Sequence, residues 1–167
     1  LAIGPEQIAG VLVTHEHSDH IAGVFKFACR YALPVYLTHG THAAAPRGKS
    51  PLPECRLIDS HAPFAVGSLE IHPFPVPHDA REPVQFVFSD GAQKLGVLTD
   101  TGSITQHIVD VLSACHALVL ECNHDHELLA ASAYPAMLKQ RIAGSFGHLD
   151  NQQAASLLPR ISTRQLQ

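Results

Sequence analysis

The stretch Val11–His20, with the sequence VLVTHEHSDH, decides the fold of this 167-residue chain. Its apolar beginning predicts a short buried strand, and an apolar helical pattern begins at Ile21. His15 and His17 are two residues apart, so in an extended segment their side chains project to the same side. His20 and the carboxylate of Asp19 fall in the first helical turn that follows. Three imidazoles and one carboxylate in so short a stretch predict a divalent metal site. Because these ligands are divided between the extended segment and the helical turn, they suit two ions better than one.

The amino-acid composition limits the classes of protein to which the chain can belong. The chain is long enough for one domain with a substantial core, and its 46% apolar and 16% charged content is globular rather than disordered. No apolar run has the length of a membrane span, so we expect no membrane association. The net charge of −4 argues mildly against a nucleic-acid partner, although two divalent cations would add four positive charges at the site.

The cysteines are scattered and form no C-x-x-C pair. We therefore expect four small buried thiols in a reducing compartment, with the cytoplasm as the default location. These residues are Cys29, Cys55, Cys115 and Cys122.

Periodicity and turn residues predict a layered α/β chain. A helix is expected over Asp19–Ala32, with Ser18 or Asp19 as its cap, followed by a strand at Val35–Thr38. Further strands are predicted at Arg56–Ser60, Phe64–Val66, Ser68–Pro75, Val84–Ser89, Gln93–Asp100 and His116–Glu121. Further helices are predicted at His42–Ala45, Ile104–Ser113, His126–Ala131, Pro135–Ile142 and Asn151–Ile161. The dipeptide Asp90-Gly91 predicts a hairpin turn, and the loop around Arg47 and Lys49 predicts an exposed segment.

Three later residues are candidates to join the first cluster, because each lies where a predicted element ends or begins. His78 follows a strand, and His148 lies on a glycine-hinged turn before the last helix, which Asp150 or Asn151 is expected to cap. Asp100 ends an apolar run, and its two carboxylate oxygens suit a bridge between two cations. Its alternative role is the cap of the following helix, which Ser103 would serve equally well.

THEHSDH (Thr14–His20) resembles the signature of the metallo-β-lactamase superfamily, which holds two metals between the sheets of an αββα sandwich. Four later motifs narrow the resemblance to the YycJ-like branch, small bacterial proteins regarded as DNA exonucleases and akin to RNase Z and phosphodiesterases. They are VPHDAREP (Val76–Pro83), LTDTG (Leu98–Gly102), LECNHD (Leu120–Asp125) and GHLDN (Gly147–Asn151). The resemblance covers essentially the whole chain and implies an α/β fold that forms part of this sandwich.

The resemblance also implies the ligand set. One metal would be held by His15, His17 and His78, and a second by Asp19, His20 and a last histidine, with Asp100 as the bridge. Zinc or manganese suits these imidazole and carboxylate ligands. Two such ions about 3.5–4 Å apart supply a hydroxide and stabilise the attacked and leaving oxygens of a phosphodiester. The catalytic residues that the resemblance implies are Asp19, Glu121 and His148.

Two roles are open for His148. It would serve as the final metal ligand, or, as in RNase Z-type enzymes, as the general acid that protonates the leaving oxygen while Glu121 orients it. We prefer the general acid. Asp79 would orient His78 from behind or serve only as a turn residue.

The family pattern places strands before the first motif and a further histidine ligand after the last helix. We therefore expect one metallo-β-lactamase-fold domain over residues 1–167, incomplete at both termini. The expected function is a metal-dependent phosphodiesterase or DNA exonuclease, with DNA or a small phosphodiester as substrate. The alternatives are a thioester hydrolase like glyoxalase II, a lactam hydrolase, and a non-catalytic metal-binding module.

Overall fold

The computed structural model describes residues 3–46 and 52–161. The predicted exposed loop around Arg47 and Lys49 lies outside the described residues. The chain divides into two compact units, one formed by Leu1–Pro75 with Ala80–Val84 and the other by Val76–Asp79 with Gln85–Gln167. Among the described helices, none is long and apolar enough to cross a bilayer.

The first unit contains a parallel sheet of three strands, β1 (Val11–Leu12), β2 (Val35–Thr38) and β3 (Cys55–Ile58), with β2 in the middle. Val35 pairs with Val11 on one side and with Cys55 on the other. Its helical elements are a 3₁₀ turn at Pro5–Gln7, α1 (Ser18–Ile21), α2 (Val24–Tyr31) and α3 (His39–Ala44). An antiparallel hairpin of β4 (Phe64–Val66) and β5 (Leu69–Pro75) turns at Gly67, whose positive φ of 61° suits glycine.

The core of the first unit explains why this sheet forms. All four residues of β2 are buried, as expected for the central strand of a parallel sheet. The end of β1 and one face of α1 and α2 supply the apolar side chains packed with it. The buried cluster is Val13, Ile21, Ala28, Leu33, Val35, Leu37 and Ala45.

The single helix predicted over Asp19–Ala32 is wrong, because the structure has two helices separated at Ala22-Gly23. Glycine is a poor helix former, and Gly23 is the N-cap of α2. The predicted caps are also wrong. His17 is the N-cap of α1 and makes no side-chain cap bond, while Ser18 and Asp19 lie inside the first turn.

The second unit contains β6 (Val84–Ser89) except its first residue, together with β7 (Lys94–Leu98) and β8 (Ala117–Leu120). β6 and β7 pair antiparallel around Asp90-Gly91, which confirms the predicted hairpin, and β7 pairs parallel with β8 after a crossover through α4 (Gln106–Leu112). The remaining helices are α5 (His126–Ala131), α6 (Ala136–Ile142) and α7 (Asn151–Ile161). α4 packs against α7, and both supply fully buried side chains: Ile108, Leu112, Leu157 and Ile161.

Side chains cap helices α4, α5 and α7 of the second unit, whereas Pro135 at the start of α6 makes no side-chain cap bond. Thr105 caps α4 by accepting the Ile108 N–H at 3.2 Å, so neither Asp100 nor Ser103 has the capping role considered from the sequence. The Ser103 hydroxyl instead donates to the Ser145 carbonyl at 3.1 Å. Asp150 accepts from Gln153 N–H at 2.7 Å, and the Gln153 side chain accepts from Asp150 N–H at 2.9 Å, which confirms Asp150 as the cap of α7.

The burial of the cysteines differs from the expectation of four small buried thiols. Among the described residues none of the four forms a disulfide, but Cys29 and Cys122 are exposed and Cys55 is only half-buried. Cys115 is fully buried as predicted, and its burial raises the pKa of its thiol.

Gly102, the last residue of LTDTG, fixes a close approach of two loops. A Cβ atom at this position would overlap the backbone of residues 145–147, so only glycine fits without movement. The Gly102 N–H also donates to the Pro77 carbonyl at 2.8 Å. The residue thereby holds the loop that contains Asp100 against the loop that precedes His148.

We expect Gly102→Ala to lower the free energy of unfolding by about 3 kcal/mol, because the added methyl group meets rigid backbone atoms. The matched control is Gly23→Ala, where nothing lies within 4 Å of the added Cβ, and where we expect a loss below about 1 kcal/mol. Urea unfolding followed by circular dichroism measures both. Equal stability of the two variants would contradict the close approach.

Candidate functional site

The first unit gathers the imidazoles of THEHSDH at the end of β1. His15 is buried, its Nε2 lies 3.0 Å from His17 Nδ1, and its ring centroid lies 4.1 Å from that of His20. The Thr14 hydroxyl oxygen lies 3.0 Å from His15 Nδ1 and 3.2 Å from His20 Nδ1. The hydroxyl can donate to one of these nitrogens and accept from the other, so it restrains both rings.

This arrangement fits a cation. Two imidazole nitrogens 3.0 Å apart must share a proton or face a common positive ion, because their lone pairs otherwise repel. Asp19 lies beside this group in an exposed position, with one carboxylate oxygen 3.5 Å from His20 Nε2. The donor set of imidazoles and a carboxylate, without thiolate, is typical of zinc or manganese sites.

Backbone contacts hold this loop within its own unit. The Val84 N–H donates to the Thr14 carbonyl at 3.0 Å, and the Arg81 N–H donates to Glu16 Oε1 at 2.7 Å. Glu16, which lies between the two histidines of H-x-H, thus has a positioning contact that the sequence did not reveal.

In the second unit, His78 is buried and held by a backbone carbonyl. Its Nδ1 lies 3.1 Å from the Gly147 oxygen, and a carbonyl only accepts, so Nδ1 donates and the Nε2 atom bears the lone pair. This is the tautomer that a metal-ligating histidine needs. Asp79 does not take that orienting place: its Oδ1 lies 3.7 Å from His78 Nε2, and its Oδ2 accepts from Arg141 Nε at 2.5 Å.

Glu121, His148 and Asp100 form one cluster, in which each residue offers a ligand atom within 4.8 Å of the others. His148 Nδ1 lies 2.6 Å from Glu121 Oε2 and 3.6 Å from Asp100 Oδ1. The other Glu121 oxygen accepts the N–H groups of Thr101 at 3.2 Å and of Leu149 at 3.1 Å. A nearly buried carboxylate is thus held by two backbone amides and one imidazole.

This contact shifts the acid–base behaviour of His148. Its hydrogen bond to Glu121 raises the pKa of the imidazole, the charges of Glu121, Asp100 and Asp79 raise it further, and burial opposes them by lowering it. The net direction is upward, which favours the imidazolium near neutral pH. Because Nδ1 faces the carboxylate, Nε2 is the nitrogen placed to exchange a proton.

Asp100 adopts a left-handed backbone conformation, with φ of 39°. Such conformations are uncommon outside glycine, although aspartate tolerates them better than most residues, and they occur often at functional sites. In this conformation the Asp100 carboxylate lies 3.6 Å from the His148 ring.

The sequence pointed to each side chain in these two groups, but it did not reveal the backbone atoms that hold them. These are the N–H groups of Thr101 and Leu149 and the carbonyl of Gly147. The glycines at 102 and 147, each beside a chemically important neighbour, were the available signal for close backbone approach.

A family model described as a beta-lactamase superfamily domain matches residues 2–166. The chain belongs to this superfamily. Its curated relatives include the exodeoxyribonuclease YycJ of Bacillus anthracis, 37% identical over 158 residues, and the exodeoxyribonuclease WalJ of Streptococcus pneumoniae, 32% identical over 160 residues. Each match takes in 93% of this chain and 60% of the relative, so the chain spans about 60% of their length. The resemblance to the YycJ-like branch is confirmed.

Solved structures of the superfamily share the fold. The metallo-beta-lactamase fold protein YhfI of Bacillus subtilis matches with a TM-score of 0.73 and 16% identity, over 96% of this chain and 63% of that one. Zinc-bound PqqB of Methylobacterium extorquens matches with a TM-score of 0.68 and 18% identity, over 89% and 57%. Human tRNase Z, short form, matches with a TM-score of 0.66 and 15% identity, over 96% and 71%. The predicted α/β metallo-β-lactamase fold is confirmed.

We expect Glu121→Gln to lower the pKa of His148, because the largest contribution to its upward shift, the hydrogen bond to a carboxylate, is replaced by one to a neutral amide. NMR titration of the imidazole carbon-bound protons in chelator-treated protein measures the change. Asp100→Asn is the matched control and should lower the pKa less, since its charge is the weaker influence. A His148 pKa that is unchanged in Glu121→Gln would contradict this assignment.

Proposed function

We propose that the protein is a metal-dependent phosphodiesterase that acts on DNA as a nuclease. The observation that carries the proposal is the contact between Glu121 and His148, at 2.6 Å and fixed by two backbone amides. It gives the site a protonated imidazole whose orientation is set before any substrate arrives. A phosphodiesterase can use such an imidazolium as the acid that protonates its leaving oxygen.

Two divalent ions, zinc or manganese, form part of the proposal. The proposed ligands are those implied by the family resemblance: His15, His17, Asp19, His20, His78 and Asp100. Support comes from within each unit, namely the facing imidazole nitrogens of the first and the Nε2 lone pair of His78 in the second. When bound, such ions lower the pKa of water and neutralise the charge of a phosphodiester.

The chain's own residues supply the proton transfer. His148 donates a proton from Nε2 to the oxygen that leaves phosphorus, and Nδ1 stays on Glu121 throughout. Glu121 is a positioning residue, because it stabilises the imidazolium and fixes the ring without touching substrate. Asp100, 3.6 Å from the same ring, adds negative charge that helps to keep His148 protonated until transfer.

The need for an acid distinguishes this reaction from thioester hydrolysis. Cleavage of a phosphodiester releases an alkoxide, which is a poor leaving group unless it is protonated. A thioester releases a thiolate, which is stable near neutral pH because thiol pKa values lie at about 8.5. A buried glutamate–histidine pair is therefore of little use to a thioester hydrolase.

The choice of DNA rests on the relatives, because YycJ and WalJ are both named exodeoxyribonucleases. The net charge of −4 does not by itself favour a nucleic acid, so the metal ions must provide most of the attraction for phosphate. A cytoplasmic location is part of the proposal and rests on four described cysteines that form no disulfide, two of them exposed.

The first experiment compares metal-loaded wild-type protein and His148→Gln on single-stranded DNA, on thymidine 5′-p-nitrophenyl phosphate and on a glutathione thioester. We expect metal-dependent DNA cleavage, no thioester turnover, and a fall in kcat on DNA of about 100- to 10,000-fold in the variant. The loss should be smaller on the p-nitrophenyl ester, since p-nitrophenolate leaves without a proton. The metal content of the variant should equal that of wild type.

His72→Gln is the matched control. His72 Nε2 lies 2.6 Å from Glu70 Oε2, the same separation as in the proposed dyad, but the pair is outside both groups of candidate residues. It should retain full activity. Loss of metal from His148→Gln would instead make His148 a ligand, and turnover of the thioester alone would replace the proposed activity with another.

We expect Asp100→Ala to lose bound metal and activity together, because a bridging carboxylate contributes to both ions. Metal analysis of the purified variant by mass spectrometry, beside wild type loaded in the same way, measures the stoichiometry. A variant that keeps the full metal content would remove Asp100 from the ligand set.

A further inference from the structure

Phe146 lies two residues before His148 and has 59% of its surface exposed to solvent. Other large apolar residues of the second unit are more exposed, among them Leu128 at 73% and Met137 at 83%, but these lie on helices α5 and α6. Single exposed apolar side chains are common in proteins. Phe146 differs because hydrogen bonds fix its backbone and because the proposed acid, His148, lies close to it in the chain.

The turn that presents Phe146 is held from both sides. Its carbonyl accepts the Asp79 N–H at 3.0 Å, and the Gly147 N–H donates to the Gly144 carbonyl at 2.8 Å. Gly102 packs so closely on the turn that a Cβ there would lie 2.5 Å from the Phe146 nitrogen. The turn thus fixes the backbone from which the ring projects, so a partner that packs on the ring orders one side chain but no loop.

A guanidinium lies near the turn. Arg141, in helix α6, donates to the carboxylate of Asp79, the residue whose N–H binds the Phe146 carbonyl. Proteins bind single-stranded nucleic acid by combining aromatic faces, which stack on bases, with cationic side chains, which attract phosphate. A phosphate at this place would share Arg141 with Asp79.

The distance between Phe146 and the proposed acid, His148, is also short enough for both to contact one substrate. Two residues of chain span at most about 7 Å, so the Cα atom of Phe146 cannot stand farther than that from the Cα atom of His148. A nucleobase is one sugar away from its own phosphate. A base stacked on Phe146 therefore belongs to a nucleotide that adjoins the phosphodiester served by His148.

We propose that Phe146 is a base-stacking residue that selects an unpaired nucleotide next to the bond to be cleaved. The inference rests on the proposed nuclease function and names its substrate class, a single-stranded or frayed end. A base cannot lie flat on Phe146 and remain stacked inside a duplex, so a fully paired blunt end is the poorer substrate.

The chain contains no tryptophan, so Phe146→Trp places a single tryptophan, which can be excited selectively, at the proposed contact. The probe is a short oligothymidylate with phosphorothioate linkages, which resist cleavage, in the presence of manganese. We expect saturable quenching of the tryptophan emission by this probe and none by an oligomer of the same length built from abasic nucleotides, which has the same charge. Met137→Trp is the matched control and should show no saturable quenching with either.

Kinetics supply the second readout. Phe146→Leu should raise KM for cleavable oligothymidylate by about five- to a hundredfold, the range expected for one lost stacking contact, while Phe146→Tyr should retain the wild-type KM. KM for the abasic oligomer should not change in either variant. Circular dichroism confirms that each variant is folded.

The outcomes separate the two proposals. Cleavage by wild type without base-dependent quenching of Phe146→Trp overturns the stacking role and leaves the nuclease proposal intact. Base-dependent quenching in a protein that cleaves no phosphodiester supports the contact and overturns the nuclease. Equal KM increases on the oligothymidylate and the abasic oligomer overturn base stacking in favour of a structural effect of Phe146.

Discussion

The carboxylate of Glu121 holds together three stretches of the second unit that are far apart in the sequence. Burying a charged carboxylate costs several kcal/mol unless hydrogen bonds replace its water. Here the N–H groups of Thr101 and Leu149 and the imidazole of His148 replace it. The end of β8, the LTDTG loop and the GHLDN turn therefore meet at one residue. If any of the three moved, the carboxylate would lose a partner that it cannot replace from solvent.

Much of the fold was predictable, because hydrophobic pattern and turn residues act locally. The hairpin at Asp90-Gly91, the strand Val35–Thr38 and the last helix follow from alternation, an apolar run and a reciprocal cap. The errors were at boundaries where two local signals competed. The apolar pattern continues past Gly23, but the low helix propensity of glycine ends α1 there. Thr105 rather than Ser103 caps α4, because the Ser103 hydroxyl bonds to a distant carbonyl.

The candidate site, like the fold, has a part that could be predicted from the sequence and a part that could not. Residues whose chemistry is visible in their side chains, such as His15, His78 and Asp100, were found from spacing and from family motifs. The contacts that orient them are made by backbone atoms, and a backbone carbonyl or amide has no signature in the sequence. Gly147 accepts from His78 through an atom that every residue possesses, so only the three-dimensional structure reveals it. Likewise, no pattern shows that Asp79 pairs with Arg141 across 62 positions of sequence.

Gly147 is attached to two residues with different proposed roles, His78 and His148. Its carbonyl fixes the ring of His78, its peptide bond leads directly into His148, and a side chain there would overlap the carbonyls of Arg141 and Ile142. The proposed metal ligand His78 and the proposed acid His148 thus share one hinge, and neither can be altered alone by changes at this position. An evolving lineage, or an engineer who wants a new leaving-group preference, must alter the surroundings of the imidazole and leave the hinge untouched.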